Sequence, residues 1–402
     1  METMKNGALS DITVLDMTRV LSGPFAGMWL GDMGANVIKI EIPTGGDESR
    51  RNPPFNADGT SAFNTTINRN KRSITLDLKK EEGKEIFREL VKQADIVLEN
   101  FRPDVMDRLG LGYEDLKKIN PRIIYASISG FGSTGPYAKR PAYDVIAQAM
   151  GGIMFGIGEE GGDPLKVGAS ICDLAAGMNS IIGILAALHH RERTGMGQRI
   201  ETSLVESVIA LQQSENDRYF VEGTIIRGTG SKHPTNCPYG AYHAKDGMFM
   251  IGCGKNEMWC KLCENILGHP ELGNDPRFDS IANRVAHKAE IEQILEGWSL
   301  QHTATEVVDA LLANGIPAGP LLSIKELAED PHFNDHRGMF PYMEQPGVGP
   351  FRVTAMPIKF SETPPTITRH APALGEHNEE VYGQLLGMTQ EEVAALKEKG
   401  II

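Results

Sequence analysis

The residue with the most chemical potential in this sequence is Asp173, at the head of the apolar stretch LAAGMNSIIGILAAL that begins at Leu174. That stretch is apolar nearly all round and reads as a buried helix. An aspartate just before it has two uses. It can cap the N–H groups of the first turn. Alternatively, those N–H groups and the helix dipole hold the carboxylate ionised in a site closed to water, where it is a competent nucleophile toward an activated acyl group. Gly177 and Gly183 lower helix propensity and fit a place where another backbone or a ligand packs closely. A second cluster precedes this one. The segment from Glu99 to Asp144 carries Asn100, Phe101, Arg102, Arg108 and Arg140. An arginine fork suits phosphate oxygens, and an aromatic ring suits an adenine face. The same segment also reads as a short surface helix with Phe101 in the core. The SGFG and STGP pieces between Ser129 and Pro136 either offer backbone N–H groups to a ligand or are plain loop. Together, the carboxylate and the basic cluster suggest an enzyme that holds a large anionic cofactor and attacks it.

Local cations matter because the chain as a whole is acidic. Its net charge of −13 over 402 residues repels phosphate and argues against general affinity for nucleic acid or membrane surfaces. Arg69, Lys71, Arg72, Lys79, Lys80, Arg102, Arg108, Lys139 and Arg140 are the available local cations, and each taken singly also reads as a solvated surface charge. The five cysteines, Cys172, Cys237, Cys253, Cys260 and Cys263, are odd in number and lack small-domain spacing. They predict free thiols in a reducing compartment. Cys260 and Cys263 have no second pair at zinc-site spacing, and His332 and His336 lack the glutamate of a zinc-protease helix, so no metal is expected. The opening METMKNGALSDITVLD lacks a signal-peptide run, and Leu174 to Leu188 is too short to span a bilayer. A cytoplasmic protein is expected.

The elements that must position these residues alternate in type. Strands are predicted over Ile12–Met17, Asn36–Glu41, Ser73–Leu78, Asp95–Glu99, Arg122–Ser129 and Gln198–Thr202. Helices are predicted from Pro24 to Asp32, from Glu81 to Gln93, and from Leu204 to about Tyr219. Apolar strands separated by helices argue for a parallel sheet covered on both faces. Near Gly223 the pattern changes to a Gly- and Pro-rich linker. A hairpin over Tyr239–Ala244 and Met248–Gly252 follows, then helices over Glu257–Leu267, Asn283–Trp298 and Thr303–Ala313. Thr303 with Glu306 and Ser323 with Glu326 read as capping boxes. A second irregular stretch, Pro341–Pro350, leads to short strands and a last helix from Thr389. The expected division is a large domain over 1–222 and 341–402 and a small α+β domain over 223–340. The opening strand–turn–helix has Gly23 and Gly27 but not the full dinucleotide fingerprint. Glu41, at the end of the second strand, keeps an NAD-dependent dehydrogenase as an alternative.

Several long motifs go further. VLDMTRVLSGPFAGMWLGDMGANVIKIE, NRNKRSITLDLK, ENFRPDVMDRLGLGYEDL, NPRIIYASISGFGSTGPY and RPAYDVIAQAMGG resemble class III coenzyme A transferases, and the likeness continues through HPTNCPYGAYHAKDGMFMIGCG and APALGEHNEEV. The resemblance implies that Asp173 attacks an acyl-CoA, forming a mixed anhydride and then an aspartyl-CoA thioester that an incoming carboxylic acid collects. It implies contacts to coenzyme A from Leu76, Lys79, Asn100, Phe101, Arg102 and Arg108, with Tyr143 near the reacting end and Leu21 and Ser22 at the substrate end. Arg140 is added for its charge and position. The implied fold is a doubly wound α/β domain built from both chain ends plus a smaller domain, in an interlocked ring homodimer. The same superfamily holds acyl-CoA racemases, which carry a histidine where this chain has Tyr143. A phenol is a poor acid/base partner near neutral pH, so transfer is expected over racemisation. A CoA-binding protein without turnover is a third reading, against which Asp173 speaks. The run of glycines found in formyl-CoA transferase is missing here; Gly252 and Gly254 offer a shorter loop.

Overall fold

The computed structural model describes residues 7–402. The first residues of the opening stretch inspected above therefore lie outside the described residues. Six strands form one sheet: β1 (Thr13–Asp16), β2 (Asn36–Glu41), β3 (Lys71–Thr75), β4 (Ile96–Glu99), β5 (Ile124–Ser129) and β6 (Arg199–Ser203). Their order is β3-β2-β1-β4-β5-β6, and every neighbouring pair is parallel. Successive side chains alternate between two cores. Val14, Val37, Ile96 and Leu98 face one core, shared with helix α1 (Ser22–Asp32) and with the long helix described below. Leu15, Ile38, Ile74 and Val97 face the other, with the helix Glu81–Lys92 and the C-terminal residues Val381, Tyr382, Val393 and Leu396. Burial on both faces is why these strands read as short apolar runs.

The chain reverses its winding direction between β1 and β4, and a crevice opens beyond the carboxyl ends of strands at such a switch point. Two more helices matter here: α2 (Asp144–Met150) and α3 (Ile171–Thr194), which pack on each other, α3 also packing on α1. At 24 residues, α3 is longer than its apolar stretch suggested, and by length and composition alone it qualifies as a membrane span. Its buried side chains, among them Cys172, Ala176, Ile184 and Ala187, instead join the core against the sheet. Gly177 permits this packing, because a Cβ there would lie 2.7 Å from the Ser22 carbonyl oxygen of α1.

Several elements differ from expectation. β3 starts at Lys71 rather than Ser73, because Lys71 and Arg72 are buried strand residues with acidic partners. The helix expected from Leu204 to Tyr219 divides into Leu204–Ala210 and Gln213–Glu222. At the break, the Gln212 side chain turns inward and donates to the Gly151 and Val208 carbonyls at 2.7 and 3.0 Å. The helix expected over Asn283–Trp298 is likewise interrupted, at His287. The stretch Pro341–Pro350 is not irregular: Tyr342–Gln345 pairs antiparallel with Gly349–Arg352. Helix Asn378–Leu386, which the sequence reading missed, packs on β3, with the Tyr382 hydroxyl donating to the Thr75 carbonyl at 2.7 Å.

The chain clusters into two compact units. One comprises the described chain through Met154, Lys166–Gly223 and Phe333–Ile402; the other comprises Phe155–Leu165 and Thr224–His332. The second unit has its own antiparallel sheet of β7 (Tyr239–His243), β8 (Met248–Gly252) and β9 (Ala318–Pro320). Phe249, Trp259 and Phe278 fill its core, and Thr303 with Glu306 and Ser323 with Glu326 form full capping boxes.

Candidate active site

The loops after β1, β3 and β4 converge at the switch point of the sheet. Between them lies a cavity of about 480 Å³, lined among others by Arg19, Leu76, Lys79, Phe101, Arg102 and Arg108. That volume suits a small-molecule cofactor. Leu76 is a buried wall, whereas Lys79, Arg102 and Arg108 are exposed cations at the rim. Phe101 is half-buried, and the Arg19 guanidinium lies 5.0 Å from its ring centre. Glu99 fixes the start of this loop by accepting from the Phe101 N–H at 2.8 Å. Burial pushes the Glu99 carboxyl up to about 7. Asn100 ties the β4 loop to the β1 loop: its Oδ1 accepts from the Arg19 N–H and its Nδ2 donates to the Arg19 carbonyl, both at 2.8 Å.

Asn100 Nδ2 also donates to the Ser22 hydroxyl at 3.3 Å, and the Ser22 hydroxyl is the polar neighbour that draws the Asp173 carboxyl down. Asp173 sits inside the first turn of α3, not ahead of it, and no side chain caps that helix from Ser170. The cap expected of Asp173 is supplied by Asp144 of α2, whose Oδ1 accepts from the Cys172 N–H at 2.9 Å. Gln148 Nε2 holds the other Asp144 oxygen at 2.6 Å. The expectation that helix N–H groups keep Asp173 ionised also needs correction. Burial and the neighbouring Asp144 carboxylate push it up to about 7, with the Ser22 hydrogen bond pulling the other way. A half-buried carboxyl facing another carboxylate favours its protonated form. Its chain neighbour Cys172 is buried, and burial with the charges of Asp144 and Asp173 pushes that thiol up to about 12.

The structure thus brings the residues singled out in the sequence together in two groups. Leu76, Lys79, Phe101, Arg102 and Arg108 line the cavity. Asn100 is hydrogen-bonded to Ser22, which neighbours the Asp173 carboxyl, with Leu21 preceding α1 as its cap residue. Two residues stand apart from both groups. Arg140 lies over the Tyr137 ring at 3.9 Å, and Tyr143, just before Asp144, is 71% exposed. Three of the cations counted as available are consumed by the fold: Arg69 pairs with Asp32, Lys71 with Asp16 and Arg72 with Glu380. Glu41 is likewise occupied, because Arg50 bonds both of its oxygens and Ser73 donates to it. That leaves it poorly placed to bind a ribose. Sequence reasoning missed Asp144, Lys39 and Asp47. The available signals were an aspartate opening a helix after RPAY and a lysine in the middle of a strand buried on both faces. All five cysteines are free thiols, and no metal-binding group of His, Cys, Asp and Glu occurs among the described residues.

The family model described as CoA-transferase family III matches residues 9–378. The chain is 40% identical to the succinate–glutarate CoA-transferase of Agrobacterium fabrum, over 94% of this chain and 95% of that one. It is 37% identical to the succinyl-CoA–D-citramalate CoA-transferase of Chloroflexus aurantiacus, over 98% of both chains. Among solved structures, a CAIB/BAIF family protein from Brucella suis superimposes with a TM-score of 0.84 at 38% identity, covering 95% of this chain and 100% of that one.

Proposed function

The chain belongs to CoA-transferase family III and is an enzyme of that class, and from that premise we propose that it moves coenzyme A between dicarboxylic acids through covalent intermediates on Asp173. The observation that carries the nucleophile's identity is the environment of Asp173: a half-buried carboxyl with the Asp144 carboxylate and the Ser22 hydroxyl as neighbours. Its charge is costly there, and forming a neutral acyl derivative removes that cost.

An Asp173 carboxylate oxygen attacks the thioester carbonyl carbon. The C–S bond breaks, and the CoA thiolate leaves a mixed anhydride behind. The thiolate then attacks Asp173 Cγ and expels the first acid as its carboxylate, which gives an aspartyl-CoA thioester. The incoming carboxylate attacks the same carbon and releases the thiolate, which takes the new acyl group and restores the aspartate. No net proton is consumed, and the thioester energy is conserved provided water is kept out. Lys79, Arg102 and Arg108 would hold the phosphates of the bound CoA, with Leu76 and Phe101 along its adenine. Leu21, Ser22 and Tyr143 would border the acyl group. The relatives' names support succinate-like dicarboxylic acids as donor and acceptor.

Incubation with succinyl-CoA and hydroxylamine should leave a hydroxamate on the peptide bearing Asp173, with no α-proton exchange in deuterated water. Asp173→Ala should abolish turnover while CoA still binds. Turnover within about tenfold of wild type, a loss of only ~1.4 kcal/mol in transition-state stabilisation, would remove Asp173 from this role.

A homodimer is part of the same reading. Ile182 of α3 is 65% exposed, and Phe220 and Val221 are 76% and 84% exposed. Large apolar surfaces of this kind mark association sites. A monomeric mass by light scattering at micromolar concentration would contradict it. The free thiols support a reducing, cytoplasmic setting, which fractionation of source cells can test.

A further inference from the structure

The loop that brings Ser22 to Asp173 contains a valine in a conformation that valine avoids. Val20 has φ of +66°, in the left-handed region where a β-branched side chain is strained. Such strain persists only where the surroundings over-determine it. Beneath the loop lies a ladder of alternating buried charges. Lys71 Nζ donates to Asp16 Oδ2 at 2.7 Å, and Asp16 Oδ1 accepts from the Thr18 N–H at 2.9 Å and the Thr18 hydroxyl at 2.5 Å. Lys39 Nζ donates to the Thr18 carbonyl at 3.0 Å and to Asp47 Oδ2 at 2.8 Å. Asp47 Oδ1 accepts from the Val20 N–H at 3.2 Å. Asn100 holds Arg19 from the opposite side. Side chains therefore grip the backbone from Thr18 to Val20, immediately ahead of Leu21 and Ser22.

We propose that Asp47, held by Lys39, is a positioning residue of the transfer reaction: it keeps Val20 in its strained form and so keeps Ser22 against Asp173. This rests on the reading of Asp173 as nucleophile. Without the Asp47 bond, the backbone relaxes toward negative φ and swings the following Leu21 and Ser22 away from α3. The pair is suited to the task because it stays charged. Burial opposes the charge of Asp47, but Lys39 holds its carboxyl down to about 2. Burial likewise pulls Lys39 down, yet the Asp47, Asp16 and Glu41 carboxylates outweigh it and hold the ammonium above its usual range. The Lys39–Asp47 pair therefore stays charged over the range in which Asp173 titrates. Serving only as a pin for the fold is the competing role, and it makes a different kinetic prediction.

The test is steady-state kinetics of the intact chain with succinyl-CoA and a second dicarboxylate, alongside circular dichroism. Asp47→Ala, which removes the acceptor for the Val20 N–H, should lower kcat on the order of 100-fold, the scale expected for a reacting group misplaced by about an ångström, while the acyl-CoA KM changes little. Adding Val20→Gly should restore roughly tenfold of that loss, because glycine adopts the left-handed conformation without strain. A folded Asp47→Ala enzyme with wild-type kcat overturns the proposal, as does a double variant no faster than the single one. If Asp47→Ala alone does not fold, the double variant decides: a folded, active protein supports the proposal and an unfolded one sinks it. Asp173→Ala measured in parallel tests the nucleophile separately, so failure of that reading is visible on its own.

Discussion

Asp16 and Asp47, under the loop after β1, each meet a lysine ammonium, at 2.7 and 2.8 Å. Asp173, one helix away, faces the Asp144 carboxylate and the Ser22 hydroxyl instead. All of these groups are partly or wholly withdrawn from water, yet Asp47 is held down to about 2 and Asp173 is pushed up to about 7. The difference lies in the partners rather than in the depth. The frame uses complete ion pairs, which fix geometry because either half alone is intolerable in the interior. Asp173, the proposed nucleophile, has a carboxylate for a neighbour in place of a cation, so its charge is costly. One unit of the protein therefore holds both a rigid electrostatic scaffold and a deliberately uncompensated charge.

The comparison is most easily broken at the scaffold. Lys71→Met strands the Asp16 carboxylate in the core and should cost about 3–5 kcal/mol of stability, read from the urea midpoint. A loss under ~1 kcal/mol would mean that the ladder is not what holds this region.

Asp173→Asn should act in the opposite direction. The ordinary value of this carboxyl is 3.8 and the folded value about 7, so between those pH values the native state keeps a proton that the unfolded chain has lost. Stability therefore falls as pH rises through that window, and the full penalty is present above about 7. The asparagine variant should gain on the order of 2 kcal/mol at pH 8 and almost nothing at pH 4. An equal gain at both pH values would remove the charge from the explanation.

Asp144→Asn is the gentlest test. Asparagine still caps α3, but the neighbouring negative charge disappears. The acid limb of kcat/KM, where turnover falls as Asp173 takes up its proton, should move down by on the order of one pH unit. An unmoved limb would leave burial as the only cause of the raised value.

Much of the frame was legible in the sequence. The strands Asn36–Glu41 and Arg122–Ser129, the latter found over Ile124–Ser129, and the helix ending at Asp32 stood out because burial on both sheet faces leaves apolar runs between turn signals. Lys71 and Arg72 were misread as surface charges because their partners, Asp16 and Glu380, are distant in sequence, and local periodicity carries no trace of such pairings. The site was legible in parts. The cavity cations after β3 and β4 could be named from the family resemblance. The electrostatics of Asp173 could not, because they come from tertiary burial and from a carboxylate on α2, beyond an intervening loop. The same holds for Val20, whose strain is a property of a backbone angle and not of a residue type.

Cys172 gives the proposed chemistry its selectivity between elements. Sulfur is the better nucleophile toward a thioester, and a thiolate beside Asp173 would exchange with the guest directly and hold the acyl group as a stable dead end. With the thiol pushed up to about 12, it is held protonated at neutral pH. Burial in the core against the sheet, reinforced by the Asp144 and Asp173 carboxylates, keeps that sulfur silent next to the proposed oxygen nucleophile.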